Sequence, residues 1–259
     1  MDLFYRKYGS GKRKLIILHG FMGLSDHWVP VAKKMAKHFT IYIPDMRNHG
    51  QSFWSDEFSY QILARDLHKF MTQHEIKASG IIGHSMGGKV LLQYMLQHPE
   101  MDIKKPIIID ILPVDYSPNP EFKKMISLGK ETDLSQFSTR DEIAVFLENN
   151  DIHDRFKRLI LKNITLKNGK FQWKINIQAM YETFDSIFSE ISENTIYSKP
   201  VYFIKGGASM LITEAGFAET LKRFPKAKLF TVEGASHWIH IEKASTLTAL
   251  LLNILNGAN

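Results

Sequence analysis

The sequence predicts an α/β protein with a mostly parallel central sheet, helices on both faces and an inserted helical cap. Short apolar runs rich in isoleucine and valine recur along the chain, and runs without polar alternation are typical of strands buried on both faces. Helical patterns separate these runs, and strands that alternate with helices favour a parallel sheet. The alternation stops over residues 113–198, where helical patterns follow one another.

Six apolar runs are predicted to be strands of the sheet. In chain order they are KLIILHG (14–20), FTIYIPD (39–45), SGIIGHS (79–85), KPIIIDIL (105–112), KPVYFIKGG (199–207) and AKLFTVEG (227–234). Apolar residues three and four positions apart predict amphipathic helices. These helical patterns lie at 26–38, 59–74, 87–98, 213–224 and 243–255.

The interruption of this alternation predicts a second structural unit. It contains helical patterns at 119–130, 139–150, 151–164 and 177–191 and at most one strand-like piece, FQWKINI at 171–177. We therefore expect an α/β core of residues 1–112 and 199–259 and a mostly helical cap of residues 113–198. Open parallel sheets bind ligands beyond the carboxyl ends of their strands, so functional residues are expected where the strands end.

Composition and charge narrow the class of function. Hydrophobic residues make up 44% and charged residues 23% of the chain, as in ordinary globular proteins. The net charge of +6 comes from scattered basic residues, which argues against a nucleic-acid partner. The chain has no cysteine, so disulfides, thiol nucleophiles and cysteine-bound metals are excluded. No apolar run has the length of a signal peptide or a membrane span, so we expect a cytoplasmic protein without a membrane partner, as a monomer or small homo-oligomer.

The stretch GHSMGGK places a serine between glycines at the junction of a predicted strand and a predicted helix. It fits the pattern G-x-S-x-G, in which a sharp turn lifts the serine oxygen above the sheet. Gly83 and Gly87 suit the crowding of such a turn. Ser85 is therefore the candidate nucleophile, and the alternative is a serine that only fills a turn.

The stretch LHGFMG (18–23) follows the first predicted strand. Enzymes with a serine elbow place a backbone N–H donor for the oxyanion in such a loop, beside the N–H of the residue after the serine. We expect the N–H groups of Phe21 and Met86 to form the oxyanion hole. His19 is expected to tie the loop together by hydrogen bonds rather than contact the substrate.

The stretch EGASHWIHIEKA (233–244) follows the last predicted strand and precedes the last predicted helix. His237 is the candidate general base, because it comes last in the chain order serine, acid, histidine of such sites. His240 could form a metal-binding pair with it, but the sequence offers no evident third ligand, so we expect no metal site.

Together, LHGFMG, DMRNHGQS, GHSMGGK and EGASHWIHIE resemble the α/β-hydrolase fold family in order and spacing, over nearly the whole chain outside the predicted cap. Within that family, GHSMGGKV and IIIDILPVDYSP are similar to small bacterial esterases related to the abhydrolase-domain-containing 11 group. The resemblance implies an α/β-hydrolase fold and a serine esterase.

The acid of the predicted site is not where this fold usually has it. The usual acid follows the strand KPVYFIKGG, but the sequence has Ser209 there, which cannot carry a negative charge. In the esterases that the sequence resembles, the acid has the position of Asp110, at the end of the strand after the elbow helix. We therefore expect Asp110 to orient His237, and loss of the Ser209 hydroxyl to leave catalysis nearly intact. Two alternatives stay open: Asp110 only tethers the cap, or Asp115 supplies the acid.

Several further residues are candidates for the substrate pocket. In LSDHW, His27 and Trp28 either face the pocket or pack the first helix. The predicted cap is rich in aromatic residues, and Trp173 and Tyr181 are expected to contribute to an apolar roof over the nucleophile. The loop DMRNHGQS (45–52) is expected to hold itself together by hydrogen bonds and to form one wall.

These features predict a serine esterase that hydrolyses small to medium acyl carboxylic esters through a Ser-His-Asp triad and an acyl-enzyme. The expected partner is a small-molecule ester, and no cofactor is expected. Similar folds and triads also serve a lyase of menaquinone synthesis, C–C hydrolases, thioesterases and perhydrolases, which are alternatives. A hydrolase-fold protein that only binds a small ligand is a further alternative, against which the intact serine and histidine argue.

Overall fold

The computed structural model describes residues 1–101, 103–191, 193 and 195–257. The expected core also includes positions 102, 258 and 259 and the expected cap includes 192 and 194, and these positions lie outside the described residues. The strands of the described part are β1 Tyr5–Tyr8, β2 Arg13–Leu18, β3 Phe39–Pro44, β4 Ala78–His84, β5 Pro106–Ile109, β6 Ile164–Lys167, β7 Lys170–Trp173, β8 Val201–Gly206 and β9 Ala227–Val232.

Seven of these strands form one central sheet in the order β1-β3-β2-β4-β5-β8-β9. All neighbouring pairs from β3 to β9 are parallel, and β1 pairs antiparallel with β3 at one edge. The predicted mostly parallel sheet is therefore confirmed. Because β2, β4, β5 and β8 are neighbours, their carboxyl ends lie side by side, and the loops that follow them meet at one edge of the sheet.

The helices of the described residues are α1 Val29–Met35, α2 Tyr60–Gln73, α3 Met86–Gln97, α4 Pro120–Glu131, α5 Arg140–Asn149, α6 Asp154–Lys162, α7 Ile177–Glu182, α8 Phe184–Phe188, α9 Glu214–Arg223, α10 Ile239–Glu242 and α11 Ala244–Asn256. Short 3-10 helices cover Ser25–Trp28 and Leu134–Gln136. Side chains accept hydrogen bonds from first-turn N–H groups of several helices, such as Ser59 at α2 and Thr213 at α9, which stabilises where these helices begin. Within this part of the chain, none of the helices is long and apolar enough to cross a membrane.

Apolar side chains pack on both faces of the sheet. Along β2, Leu15 and Ile17 belong to one buried cluster and Ile16 and Leu18 to the other, as the alternation of side chains along a strand requires. The first cluster includes α1 and α11, and the second includes α2 and α3. Helices on both faces were predicted, and the packing confirms them.

The segment between β5 and β8 packs on the face of the sheet that carries α2 and α3. Its buried side chains, among them Met125, Phe156 and Phe184, belong to the same apolar cluster as those helices. Lys89 on α3 joins both ends of the segment, because its buried ammonium group donates to the carbonyl oxygens of Val114, Phe188 and Ser189 at 3.0, 3.2 and 2.5 Å.

Three elements differ from the sequence prediction. Strand β1 was missed because its edge position leaves its residues half-buried or exposed and so without an apolar run. The segment between β5 and β8 holds two strands rather than at most one, since β6 and β7 form a hairpin at Asn168 and Gly169, whose φ angles of 52° and 74° suit a two-residue turn. Strand β9 was predicted to be buried on both faces, but it is an edge strand with largely exposed residues.

Candidate active site

Ser85 lies at the sharp turn between β4 and α3. Its φ of 52° and ψ of −120° are sparsely populated values for a residue with a side chain, and such strain is held by the surrounding structure. A Cβ at Gly83 would lie 2.3 Å from the carbonyl oxygen of Gly87, and one at Gly87 would lie 2.5 Å from that of Leu18. The glycines therefore allow the close backbone approach that the turn requires. The Ser85 N–H donates to the carbonyl of Ile109 at 3.0 Å, which ties the turn to β5.

His237 and Asp110 are joined by a hydrogen bond between Nδ1 and Oδ2, 2.8 Å long. Asp110 directly follows β5 and its side chain is 0% exposed, whereas His237 follows β9 and its side chain is 28% exposed. Because a carboxylate only accepts, Nδ1 of His237 carries the hydrogen, and the lone pair of the neutral ring is on Nε2. Nε2 is therefore the nitrogen that can take a proton from a hydroxyl group.

Asp110 receives two more hydrogen bonds. The N–H of Gly206 donates to Oδ1 at 3.0 Å, and the Ser209 hydroxyl donates to Oδ2 at 2.5 Å. Burial raises the pKa of the Asp110 carboxyl, but His237, Ser209 and Gly206 together outweigh burial and hold this pKa below its ordinary value. The carboxyl is therefore ionised at neutral pH.

These contacts revise two of the expectations about the acid. Ser209 was expected to be dispensable, but its hydroxyl is buried against the carboxylate and helps to fix it. Asp115 was the reserve acid, but it is exposed and accepts a hydrogen bond from the N–H of Glu190 at 2.7 Å. Asp110, and not Asp115, is the carboxylate that contacts His237.

The loop after β2 packs directly against the nucleophile turn. A Cβ at Gly20 would lie 3.2 Å from the Cβ of Ser85, so the backbone that leads into Phe21 is next to the serine. The loop turns between Gly20 and Gly23, whose N–H donates to the Gly20 carbonyl at 2.8 Å. Met86 is the first residue of α3, and N–H groups in the first turn of a helix have no partner inside the helix. The N–H groups of Phe21 and Met86 thus belong to the two backbone segments that adjoin Ser85.

Two buried histidines hold the turn at Met22. Nε2 of His49 accepts from the Met22 N–H at 3.1 Å, and Nε2 of His19 accepts from the Met46 N–H at 2.9 Å. Each Nδ1 lies 2.8 Å from a carbonyl oxygen, that of Gly20 for His19 and that of Arg47 for His49. Both rings are therefore neutral with the hydrogen on Nδ1, and burial lowers the pKa of each. The expectation that His19 ties the loop together agrees with these contacts.

The loop at residues 45–52 is hydrogen-bonded within itself, for example from the Ser52 hydroxyl to the Asp45 carbonyl at 2.5 Å, and also to neighbouring segments. The Asp45 carboxylate accepts from the N–H groups of Ser25 and Gln51 at 2.6 and 3.0 Å. Arg47 donates to both carboxylate oxygens of Asp66 at 2.5 and 2.8 Å. Asp45 therefore has a structural position, in contact with backbone donors.

The segment between β5 and β8 contacts the same loops. The Nδ2 group of Asn163, at the end of α6, donates to the Met22 carbonyl at 2.9 Å. The N–H of Asn176 donates to the Asn48 carbonyl at 2.9 Å. The turn at Met22 is therefore fixed from two sides, by His49 on its N–H and by Asn163 on its carbonyl. The sequence offered no signal for Asn163, because it lies in a stretch that carries no recognised motif.

A cavity of about 510 Å³ opens at Ser85. Its lining includes Ser85, His237, Phe21 and Met86, together with His27 and Trp28. The apolar and aromatic residues that the segment between β5 and β8 contributes are Ile111, Tyr116, Pro118, Pro120, Phe122, Phe156, Leu159, Ile187 and Phe188. The cavity is therefore largely apolar, with the serine and histidine in its wall.

Two residues expected in the pocket are not part of this lining. Trp173, at the end of β7, packs against Gly129 of α4. A Cβ added to Gly129 would lie 3.2 Å from an atom of the Trp173 ring. Tyr181 is on the exposed side of α7, with the Lys130 ammonium 4.0 Å from the centre of its ring. The packing of the hairpin and of α7 directs both side chains elsewhere, and Phe122 and Phe156 form the roof with stacked rings 5.5 Å apart.

Comparison with known proteins gives a family and several relatives. Residues 14–244 match the model of the family described as alpha/beta hydrolase fold. The chain is 28% identical over 244 residues to the Escherichia coli protein named Esterase YbfF, and the aligned region covers 93% of this chain and 92% of that protein. It is 27% identical over 235 residues to the Mus musculus protein named sn-1-specific diacylglycerol lipase ABHD11, and this alignment covers 88% of this chain and 76% of that protein.

Among solved structures, one described as a marine microorganism esterase is similar over almost its whole length. It is 36% identical in sequence, superimposes with a TM-score of 0.92, and covers 98% of this chain and 99% of its own.

Proposed function

This chain belongs to the alpha/beta hydrolase fold family, and from that premise we propose that it hydrolyses carboxylic esters with Ser85 as the nucleophile. The predicted resemblance to small bacterial esterases and to the abhydrolase-domain-containing 11 group is confirmed by the relatives found. The protein is an esterase/lipase-type hydrolase, and its catalytic residues and its substrate are what the proposal adds.

The observation that carries the proposal is the hydrogen bond between Asp110 and His237 beside the cavity that contains Ser85. The contact sets the hydrogen on Nδ1 of His237 and leaves Nε2 as the base. Nε2 takes the hydroxyl proton as Ser85 Oγ attacks the acyl carbonyl carbon. The imidazolium that forms is stabilised by the Asp110 carboxylate.

The oxyanion of the tetrahedral intermediate is bound by the N–H groups of Met86 and Phe21. Support comes from the first-turn position of Met86 and from the loop backbone that packs against Ser85. When the intermediate collapses, the alcohol oxygen leaves with the proton from His237 Nε2, and an ester of Ser85 remains. A water then attacks this acyl-enzyme with His237 as base, which releases the acid and restores the serine hydroxyl.

The segment of residues 113–198 acts as a cap that shapes the acyl site. Support comes from its aromatic side chains in the cavity lining, such as Phe122, Phe156 and Phe188. A cavity of about 510 Å³ with this lining suits small to medium acyl groups, which bind by apolar contact. The relatives named esterase and lipase favour an ester over the substrates of lyases or C–C hydrolases.

Hydrolysis of p-nitrophenyl esters from acetate to decanoate tests the proposal. We expect turnover with a maximum of kcat/KM at a small or medium chain length, and loss of kcat by roughly 10⁵-fold or more in Ser85→Ala. Ser79→Ala, on the strand that leads to the turn, is the matched control and should keep the wild-type rate. Ester turnover that persists in Ser85→Ala would contradict the proposal.

A further inference from the structure

Three side chains in the lining of the catalytic cavity each carry a buried polar atom that has no hydrogen-bond partner among the described residues. These atoms are Nε1 of Trp28, Nε2 of His27 and Nδ1 of His240. Asp26 Oδ1 lies 3.6 Å from His27 Nε2, beyond the distance of a hydrogen bond. Buried polar side chains in folded proteins are almost always hydrogen-bonded to protein or water. Three unpaired atoms on neighbouring side chains therefore indicate that another molecule completes this part of the cavity.

The side chains that carry these atoms are held in place by packing. Trp28 is 0% exposed, and its ring stacks on that of His240 with centroids 4.6 Å apart and an angle of 9° between the planes. The His84 ring lies 4.6 Å from that of His240 and 4.7 Å from that of His237. A single ring thus separates the stacked pair from the proposed base, so a group bound there is close to the reacting ester.

The position of Trp28 indicates which of two neighbouring cavities contains the site. His27 and His240 also border a second cleft of about 470 Å³, which contains Lys162 and Lys174. Trp28 lines the catalytic cavity and does not border that cleft. The catalytic cavity, and not the second cleft, is therefore where a partner for the indole N–H can bind.

The chemistry of the three groups defines what they bind. The indole N–H is uncharged and only donates. Burial lowers the pKa of His27 to about 4, and burial together with the His84 ring holds the pKa of His240 well below its ordinary value. Both rings are therefore neutral at neutral pH, and each offers either a donor or an acceptor. Such a set suits an uncharged oxygen and gives no charge to balance an anion.

We propose that Trp28, with His27 and His240, binds a second, uncharged oxygen of the ester substrate, either a hydroxyl or a carbonyl outside the ester that is cleaved. The inference rests on the proposed ester hydrolysis. The indole N–H donates to this oxygen, and a histidine nitrogen accepts from it where the oxygen belongs to a hydroxyl. Because the other walls are largely apolar, this contact fixes which way the substrate lies in the cavity.

Matched pairs of esters test the subsite. One pair is p-nitrophenyl butyrate and p-nitrophenyl 3-hydroxybutyrate, with the hydroxyl on the acyl side. The other pair is propyl butyrate and 2-hydroxyethyl butyrate, with the hydroxyl on the alcohol side. In at least one pair, we expect the ratio of kcat/KM for the hydroxylated ester to that for the plain ester to fall by about tenfold in Trp28→Phe, since one hydrogen bond is lost. The ratio cancels any loss of folded enzyme, because both esters are measured on the same preparation.

Two further variants sharpen the test. Trp54→Phe is the control, because Trp54 is 52% exposed and lies outside the lining of the cavity, and its ratio should equal that of the wild type. His240→Phe keeps a ring for the stack on Trp28 and should lower the ratio in the same pair of esters. Equal ratios in wild type and Trp28→Phe for both pairs would overturn the inference and assign the unpaired atoms to bound water. The proposed function is tested separately by the plain ester. If the wild type cleaves it and Ser85→Ala does not, the proposed function stands whatever the ratios are.

Discussion

Ser209 donates a hydrogen bond of 2.5 Å to Oδ2 of Asp110, the oxygen that also accepts from His237. Ser209 has the sequence position in which the acid of this fold is usually expected, and its hydroxyl contacts the Asp110 carboxylate. The carboxylate comes instead from the end of β5, and the serine hydroxyl helps to orient it. Asp110 and its donor thus follow neighbouring strands, β5 and β8.

Replacing Ser209 by alanine should lower kcat by about tenfold and leave KM nearly unchanged. A hydrogen bond to an ionised group is lost, and the Asp110 carboxylate then holds His237 less firmly. Steady-state kinetics on a p-nitrophenyl ester checks this. A variant with the kcat of the wild type would show that the Gly206 N–H and His237 fix the carboxylate without the serine.

Replacing Asp110 by asparagine should lower kcat by roughly 10⁴-fold, because an amide neither sets the tautomer of His237 nor stabilises its charged form. Asp115→Asn is the matched control, since it changes an exposed aspartate that does not contact His237. It should keep the wild-type rate. If Asp115→Asn were the inactive variant and Asp110→Asn the active one, the assignment of the acid would be wrong.

Asn163 should affect catalysis through the turn at Met22. In Asn163→Leu the Met22 carbonyl loses its hydrogen-bond donor, so the adjacent Phe21 N–H is held less well. We expect kcat to fall about tenfold and KM to stay within about twofold of the wild-type value. Asn176→Leu is the control, because Asn176 also comes from the segment between β5 and β8 but contacts Asn48. Its kcat should change by less than about twofold. Equal losses in both variants would mean that Asn163 only stabilises the packing of that segment.

The free energy of unfolding should fall as the pH drops from about 6.5 towards 4. Burial lowers the pKa of His19, His27, His49, His84 and His240, with values of about 4 for His27 and about 3 for His84. Below the ordinary value of 6.5, these rings bind protons in the unfolded chain but stay neutral in the folded one. Protons thus favour the unfolded state, by up to about 1.4 kcal/mol per pH unit for each ring.

Urea unfolding at pH 7, 6 and 5 measures this dependence. In His240→Phe the slope should decrease by about one proton, because one buried neutral ring is removed. The Asp110 carboxyl affects the free energy of unfolding only outside this pH window. Its pKa is held below the ordinary value of 3.8, so the stability that it contributes is lost only at more acidic pH. Equal stability at pH 7 and pH 5 would show that the buried histidines titrate normally.

Much of the sheet could be predicted because strands buried on both faces have a plain sequence signal. Strand β1 lacks that signal, since it pairs through its backbone at an exposed edge. The hairpin of β6 and β7 did have a sequence signal, the Asn168-Gly169 pair. The two-residue turn requires positive φ at both positions, and Asn and Gly adopt it readily. This signal was not used in the prediction for residues 113–198.

Residues predicted at the strand ends lie close to one another, whereas two residues predicted for the pocket from the segment between β5 and β8 are not part of the cavity lining. Asp110 and Ser85 directly follow neighbouring parallel strands, so topology alone brings them to one edge. The direction of a side chain between β5 and β8 depends on how the helices and the hairpin of that segment pack, which periodicity does not specify. For this reason Trp173 and Tyr181 were placed in the pocket wrongly, while the contact of Asn163 with Met22 was not foreseen.

Labelling with a fluorophosphonate most directly tests whether Ser85 is an activated nucleophile, because the reagent needs no knowledge of the substrate. Mass spectrometry of the digested, labelled protein should place the adduct on Ser85, with no label in Ser85→Ala and much slower labelling in His237→Ala. An adduct on another serine, or an unlabelled wild-type protein that is folded, would contradict the account.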